Sequence, residues 1–399
     1  ITRTTADASS ASDQSRKTPH PMNNQKEPKA NSTPESDEEN LPLVVLPAEW
    51  EPQSGIQLTW PHSGTDWEPM LDEISQCYAR IVREIIRFEP VMIVTPSADI
   101  VRPYIEDLDQ DRIHFCEVPG TNDTWARDHG GIGVMFKGEP AVFDFIFNGW
   151  GMKYPANYDN QIVSEMESGQ AFAPGIEVFI LPFVLEGGSI ESDGCGTVLT
   201  TSSCIFSKNR NERLSKAKIM DAIEALLGAD RLLILKHGYL EGDDTDGHVD
   251  TLARFCDPET IAYVQCTDPD DSHFDELLAM ERELLALRTA EGKPYRLISL
   301  PMAEPVFDED GYQLPATYAN FLILNGAVLV PAYGNDELDE QAREVLQTAF
   351  PDREIISVDC LPLIQQGGAI HCATMQYPAG VLNVYTDDEE AESDEYSPL

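Results

Sequence analysis

Slid against itself by 180 positions, the chain meets a second copy of one of its own segments. Leu181-Pro-Phe-Val-Leu-Glu-Gly-Gly-Ser-Ile190 aligns with Leu361-Pro-Leu-Ile-Gln-Gln-Gly-Gly-Ala-Ile370, and five of the ten positions are identical. Such a repeat restricts the fold to architectures that use one supersecondary unit several times. The interval divides into three steps of about 60 residues. Gly followed by a strand-like run recurs at Gly55, Gly130, Gly187, Gly247, Gly311 and Gly367, with gaps of 75, 57, 60, 64 and 56. Helical periodicity counts the units independently, with amphipathic stretches at 72–88, 158–167, 214–227, 274–288 and 338–350. Short apolar strands follow them at 91–94, 178–181, 232–235, 297–300 and 355–358. A hairpin-like pair precedes each helix, for example 196–199 with 204–206, or 321–324 with 328–330.

The unit is therefore β-β-α-β, used five times. One strand is left over, 368–375, and its natural partner is the early strand at 56–60. Pairing the two ends closes a ring and removes the exposed sheet edges. The expected fold is α/β: a five-bladed pseudo-symmetric propeller with one central site. The alternative is an ordinary open α/β sheet.

Charge then limits the partners. Among 399 residues, 70 Asp and Glu face 27 Lys and Arg, a formal net charge of −43. That excess repels phosphate backbones and anionic membrane surfaces, so neither nucleic acid nor membrane is expected as a partner. Apolar stretches are broken by Gly or Pro well before the roughly 20 residues of a spanning helix. Either a salt-adapted source or simple solubility accounts for the acidity. Eight Cys without a CxxC pair, and no apolar leader, point to free thiols in a reducing, cytoplasmic setting. Pairs such as Cys195 with Cys204, or Cys256 with Cys266, could face one another across hairpins, but buried thiols are the favoured reading. Residues 1–40 are too poor in large apolar side chains to order themselves. Residues 41–384 read as one catalytic domain, and 385–399 as an acidic solvated tail.

The loops entering the repeated strands hold the chemistry. They carry Asp128 in Asn122-Asp-Thr-Trp-Ala-Arg-Asp128, Glu186 before Gly187-Gly188, His248 and Asp250 in Gly-His-Val-Asp, and Cys372 after Gly367-Gly368-Ala-Ile-His371. Residues two apart on a strand share a face, so His248 and Asp250 are expected to point together, with Cys372 turned away from His371. Three carboxylates in one pocket repel each other unless a cation arrives. Paired carboxylates match the fork of a guanidinium better than an ammonium. A thiolate beside that cation is stabilised and can attack the electron-poor guanidinium carbon. Cleavage of a C–N bond in a guanidino compound meets all three needs. No HExxH, CxxC or comparable ligand spacing occurs, and no catalytic metal is expected.

These residues are familiar as a set. NDTWARDHG, EGG, GHVD followed by LARF, and GGxIHC with a downstream Gln-x-Pro, together with the opening PAEWEPQSGIQLTWPHSGTDW, resemble the agmatine deiminase and bacterial-type peptidylarginine deiminase family over roughly 43–384. The resemblance implies the five-bladed guanidino-modifying fold, called pentein, with no metal or organic cofactor. It implies Cys372 as nucleophile, His248 as general acid and then base, and Asp128 and Asp250 as holders of the guanidinium. Glu186 would orient His248 or touch the substrate, and Trp125 and Gly368 would line the substrate's path. His371 is read as structural. Asp243, Asp244 and Asp246 either attract a cationic substrate or form a solvated loop.

Departures from the family pattern touch the walls, not the reacting groups. Gln365-Gln366 precede the glycines, Ala373-Thr374-Met375 follow the cysteine, Thr251 follows GHVD, and Glu191 follows EGGSI. The leading expectation is hydrolysis of agmatine to N-carbamoylputrescine, a step toward putrescine. A peptidylarginine deiminase is the runner-up, and an amidinotransferase or a silent guanidino-binding protein follow. A small cationic guanidino substrate is the expected partner, and assembly into a homo-oligomer is left open.

Overall fold

The computed structural model describes residues 42–384. The expected disordered extension at 1–40 and the acidic tail at 385–399 lie outside the described residues. The fold is mixed α/β, and the repeat is visible in its strand pairing. Five sheets of three or four strands are formed, each with an antiparallel pair, a helix, and a strand returning parallel to the second member of the pair.

In the second sheet, Ile132–Phe136 pairs with Glu139–Ile146, the helix Ile162–Ser168 follows, and Glu177–Val184 returns in parallel. The third uses Ile190–Ser192, Thr197–Thr201, the helix Lys216–Leu227 and Arg231–Leu235. Ala253–Asp257, Thr260–Gln265, Phe274–Ala286 and Arg296–Pro301 make the fourth, and Leu322–Leu324, Ala327–Ala332, Asp336–Ala349 and Glu354–Asp359 the fifth. The first sheet takes one strand from far along the chain. Thr374–Pro378 pairs antiparallel with the opening strand Gln53–Thr59, with Gln57 opposite Met375.

The helices form for local reasons. Leu71–Ile85 buries Ile74, Cys77, Tyr78, Ile81, Val82 and Ile85, the i, i+3, i+4 pattern of one apolar face. Each such side chain stabilises the fold by about 1.5–3 kcal/mol on burial, so Tyr78→Ala would cost roughly 3–5 kcal/mol. The hydroxyl of Ser215 accepts the Lys218 N–H to start the helix Lys216–Leu227. That helix ends at Gly228, whose φ of +64° and contact with the Val44 carbonyl leave no room for a Cβ. Among the described residues no helix is long and apolar enough to cross a membrane.

Four local expectations are corrected. Residues 204–206 are not the hairpin partner of 196–199; Cys204 lies in the short helix Ser202–Ile205, which Thr201 caps by accepting the Cys204 N–H, and the true partner is Ile190–Ser192. The last strand starts at Thr374, so Gly368 and Cys372 sit in a turn before it. The first sheet gains a fourth strand, Ile113–Glu117, after the helix Ala98–Ile105. The two halves of the long repeat also differ, because Leu181–Val184 finish a strand whereas Leu361–Ile364 turn into a helix with Pro362 in its first turn. All eight cysteines are free, seven of them buried and Cys195 exposed.

Candidate active site

A cavity of about 380 Å³ opens between the turns that lead into several of these sheets, and Cys372 is in its wall with Asp128, Trp125, Trp150 and Gly368. Each functional side chain is held by backbone or by a neighbour, so that little freedom remains. Cys372 is fixed by Asn320: the amide Nδ2–H donates to Sγ at 3.2 Å, and Oδ1 accepts the N–H groups of Cys372 (3.3 Å) and His371 (3.0 Å). The Sγ of Cys372 lies 3.8 Å from Asp250 Oδ2.

Asp128 is at the end of the short helix Ala126–His129. Its Oδ1 accepts the Gly188 N–H at 3.0 Å and its Oδ2 the indole N–H of Trp150 at 2.9 Å. Trp150 reaches it from a strained stretch in which Gly149, Trp150, Gly151 and Met152 all have φ between +52° and +83°. A left-handed Trp is rare, and strain of this kind persists where a side chain must be aimed. Glycine is required at 149, where a Cβ would come within 2.2 Å of the Tyr154 carbonyl.

His248 is wholly buried, with Nδ1 3.5 Å from Asp128 Oδ1 and Nε2 3.8 Å from Glu186 Oε2. Glu186 is in turn gripped by Arg210, whose Nε lies 3.0 and 2.8 Å from its two carboxylate oxygens. Gly188 is the point where these groups meet. A methyl added there would lie 2.6 Å from His248 Nδ1, 2.9 Å from Asp128 Oδ1 and 3.1 Å from Asp250 Oδ2. Cys372, His248, Asp128, Glu186 and Asp250 are thus brought together. Trp125 packs on Gly368, whose place a Cβ could not share with the indole, and both line the cavity.

Two orientations came about differently from expectation. His248 and Asp250 do not alternate on a strand; they flank the start of the single turn Val249–Thr251. His371 is turned from the cavity, yet its Nδ1 lies 2.8 Å from Asp250 Oδ2, so it bears on the site from behind. Behind it, Nε2 of His371 is 2.9 Å from Glu49 and 3.0 Å from Arg254, a buried cation that also pairs with Glu49 and Glu191. Asn320, Trp150, Arg210, Glu49 and Arg254 were not singled out from sequence. Local signals existed for three of them: the Gly-Trp-Gly of Trp150, and the LARF and PAEW segments that contain Arg254 and Glu49.

Burial and charge set the protonation states. Burial pushes the Cys372 thiol well above its ordinary range, and the charges of Asp250 and Asp128 add to this. Burial favours neutral His248, but the Asp128 charge, with Cys204 and Glu186, outweighs it and holds the ring well above the usual value. Asp128 is raised, chiefly by burial. Burial alone would also raise Asp250 and Glu186, yet hydrogen bonds and charge from His371 hold the first, and from His248 and Arg210 the second, below the usual carboxylate range. Asp250 Oδ1 and both His248 ring nitrogens have no hydrogen-bond partner within the protein. The floor is an acidic, buried surface with an unused acceptor, Asp250 Oδ1, near a thiol, which a planar cation would satisfy.

The mouth is different in kind. Asp66, Asp123 and Asp244 line it with Tyr154, Tyr312, Gln365 and Gln366. Burial, then the charges of Asp159, Asp66 and Asp244, push Asp123 up to about 8 against the opposing Thr124 N–H. Asp246 instead points to Arg210 and Lys153, and Asp243 folds back on Thr245 and Gly247. Of the three loop acids, Asp244 is the one in the cavity wall. Among the described residues two groups of donor atoms are close enough to hold a metal ion: Glu186 with Cys204 and His248, and Glu49 with Glu191 and His371, the latter filled by the Arg254 guanidinium.

Comparison with known proteins adds independent findings. The model of the Porphyromonas-type peptidyl-arginine deiminase family matches residues 45–378. The agmatine deiminase of Pseudomonas syringae pv. tomato is 32% identical over 375 residues, covering 88% of this chain and 98% of that protein. A solved structure from Porphyromonas gingivalis, named "putative arginine deiminase", is 51% identical, with a TM-score of 0.82 over 85% of this chain and 100% of that one. The agmatine deiminase of C. jejuni with substrate bound is 35% identical, with a TM-score of 0.78 over 84% of this chain and 96% of its own.

Proposed function

This chain belongs to the Porphyromonas-type peptidyl-arginine deiminase family, and we propose that its reaction is the hydrolysis of agmatine to N-carbamoylputrescine and ammonia. The observation that carries the substrate is the two-ended acidity of one cavity, with Asp128 in its floor, Asp250 3.8 Å from the Cys372 thiol that also lines it, and Asp66, Asp123 and Asp244 at the mouth. Agmatine is a dication with a guanidinium at one end and an ammonium at the other. Free arginine would bring a carboxylate to the acidic mouth, and a peptidyl arginine would leave those acids without a cation.

The roles follow from the distances. Asp128 and the unused Oδ1 of Asp250 hold the guanidinium nitrogens. Its charge offsets the acids that suppress ionisation of Cys372, and the thiolate attacks the guanidinium carbon. The Cys372 thiol proton is lost to solvent as the thiolate forms; His248 gives its proton to the departing ammonia, leaving an amidino thioether on Cys372. The neutral ring then takes a proton from water, which adds to the same carbon, and the C–S bond breaks to release the thiolate and the ureido product, whose hydroxyl proton passes to solvent. Glu186, fixed by Arg210, keeps the ring oriented. Trp125 walls the alkyl chain at Gly368. The pairing of Thr374–Pro378 with the early strand Gln53–Thr59 and the five like sheets support a closed five-bladed ring around this site.

Deimination of peptidyl arginine is the second reading, favoured by the name of the family whose model matches residues 45–378. The test is ammonia release from purified protein given agmatine, free arginine or an arginine-containing peptide, at low and molar salt. Preference for agmatine is expected; preference for the peptide would replace the first reading with the second.

A further inference from the structure

Cys204 has no part in the reaction just described, yet it sits against the catalytic imidazole. Its Sγ lies 3.9 Å from Glu186 Oε2, which is 3.8 Å from His248 Nε2, and the three donor atoms are all within 4.8 Å of one another. All three residues are no more than 1% exposed. Nε2 faces away from the floor occupied by Asp128 and has no hydrogen-bond partner. A cavity of about 10 Å³ adjoins Glu186, Cys204 and Arg210, room for one small species.

We propose that Glu186, Cys204 and His248 form a binding site for zinc(II) on the rear side of the catalytic imidazole, and that its occupancy switches the enzyme off. The donor set of thiolate, imidazole and carboxylate is the one zinc prefers, whereas magnesium and calcium select oxygen ligands. Zinc–sulfur and zinc–nitrogen bonds of about 2.3 and 2.0–2.1 Å space tetrahedral donors by roughly 3.3–3.6 Å. The pairs that involve Glu186, at 3.8 and 3.9 Å, need a closure of a few tenths of an ångström, and Cys204 and His248 start within 4.8 Å of one another. Binding displaces two protons to solvent, one from the Cys204 thiol and one from Nε2 of the charged His248 ring, and forms one bond to each donor, with no change of oxidation state. Arg210 opposes the cation, but its charge is shared with Asp246, and its contact to Glu186 can persist as a hydrogen bond to a ligating carboxylate. The loss of activity rests on the role given to His248 above: a ring whose Nε2 holds zinc cannot carry protons on both nitrogens, and so cannot supply one to ammonia. The binding itself does not rest on that role.

The experiment uses cobalt(II) as a spectroscopic stand-in, added to metal-free Cys372→Ala protein that also carries Cys195→Ser, so that neither the nucleophile nor the exposed thiol contributes. One equivalent should give the visible bands of a tetrahedral site together with thiolate-to-cobalt charge transfer, and zinc should displace it. Adding Cys204→Ser should remove the charge transfer and weaken binding at least tenfold. Glu186→Gln, a second and independent variant, should weaken binding while keeping the charge transfer. Unchanged spectra in Cys204→Ser, or no cobalt uptake, would overturn the site. Zinc inhibition of the otherwise intact enzyme should be reversed by chelator and relaxed at least tenfold by Cys204→Ser; equal inhibition of both proteins would overturn the switch. Cobalt bound at Cys204 in a chain that releases no ammonia from agmatine would support the metal site while removing the hydrolytic reading.

Discussion

The floor and the mouth of the cavity are both acidic, but they are acidic in opposite ways. At the floor each carboxylate is buried and tied: Asp128 to Gly188 and Trp150, Asp250 to His371, Glu186 to Arg210. At the mouth Asp66 and Asp244 are exposed, Asp244 held by the Tyr154 hydroxyl, while the half-buried Asp123 is held by the N–H of Thr124. Dry, pre-aimed charge is strong and cannot reorganise; wet charge is weakened by water and salt. The difference teaches where chemistry ends and selection begins. Changes at the floor should act on turnover, and changes at the mouth on apparent affinity.

The harshest test of that division is Cys372→Ala, which should reduce ammonia release to background while guanidino ligand still binds, as measured by calorimetry. Residual turnover well above background would remove covalent catalysis. His248→Ala should lower kcat by about 100- to 10,000-fold. Wild-type activity should also fall on the alkaline side only above the ordinary histidine range, because the raised pKa keeps the ring protonated until the pH rises through it. A limb at the usual histidine pKa would mean that Asp128 does not hold the proton there.

Gly188→Ala sharpens the comparison without removing any reacting group. Its methyl would press on His248, Asp128 and Asp250 together, and a displacement of that order costs about 100-fold in rate. An unchanged kcat would show the floor to be softer than its contacts imply. The smallest effect belongs to the mouth. Asp123→Asn should raise KM for agmatine a few-fold with kcat intact, and molar salt should bring the wild-type KM toward that of the variant. Because its carboxyl is pushed up to about 8, ionisation grows from pH 7 to 9, and the wild-type KM should fall across that window while the variant stays flat. A variant that loses kcat instead would dissolve the division between the two regions.

Legibility follows the same line. The floor residues sit in short loops with Gly-Gly or Gly-His neighbours, because a crowded polar centre demands backbone without Cβ, and such loops are visible in sequence. The five helices and their return strands were readable from periodicity, since burial of one face writes a regular spacing. Asn320 and Arg210 were not readable, because their partners Cys372 and Glu186 lie 52 and 24 residues away and no local pattern links them. The pairing of His248 with Asp250 was anticipated on strand alternation, although the residues flank a one-turn helix; convergence on Gly188, not alternation, brings them together. Residues 204–206 misled because their apolar character suits a strand, while the Thr201 hydroxyl closes a helical turn instead.

The pairing of Thr374–Pro378 with Gln53–Thr59 has a consequence for synthesis. Cys372 lies two residues before that strand, so it leaves the ribosome after Asp128, Glu186, His248 and Asp250. The carboxylates and the imidazole can therefore gather as translation proceeds, while the thiol waits for a contact spanning more than three hundred positions, a slow kind of closure. With Cys372 in the role proposed for it, a nascent chain would stay chemically silent until that sheet is stitched, and the first turnover of a new molecule would report that its two distant strands have found each other.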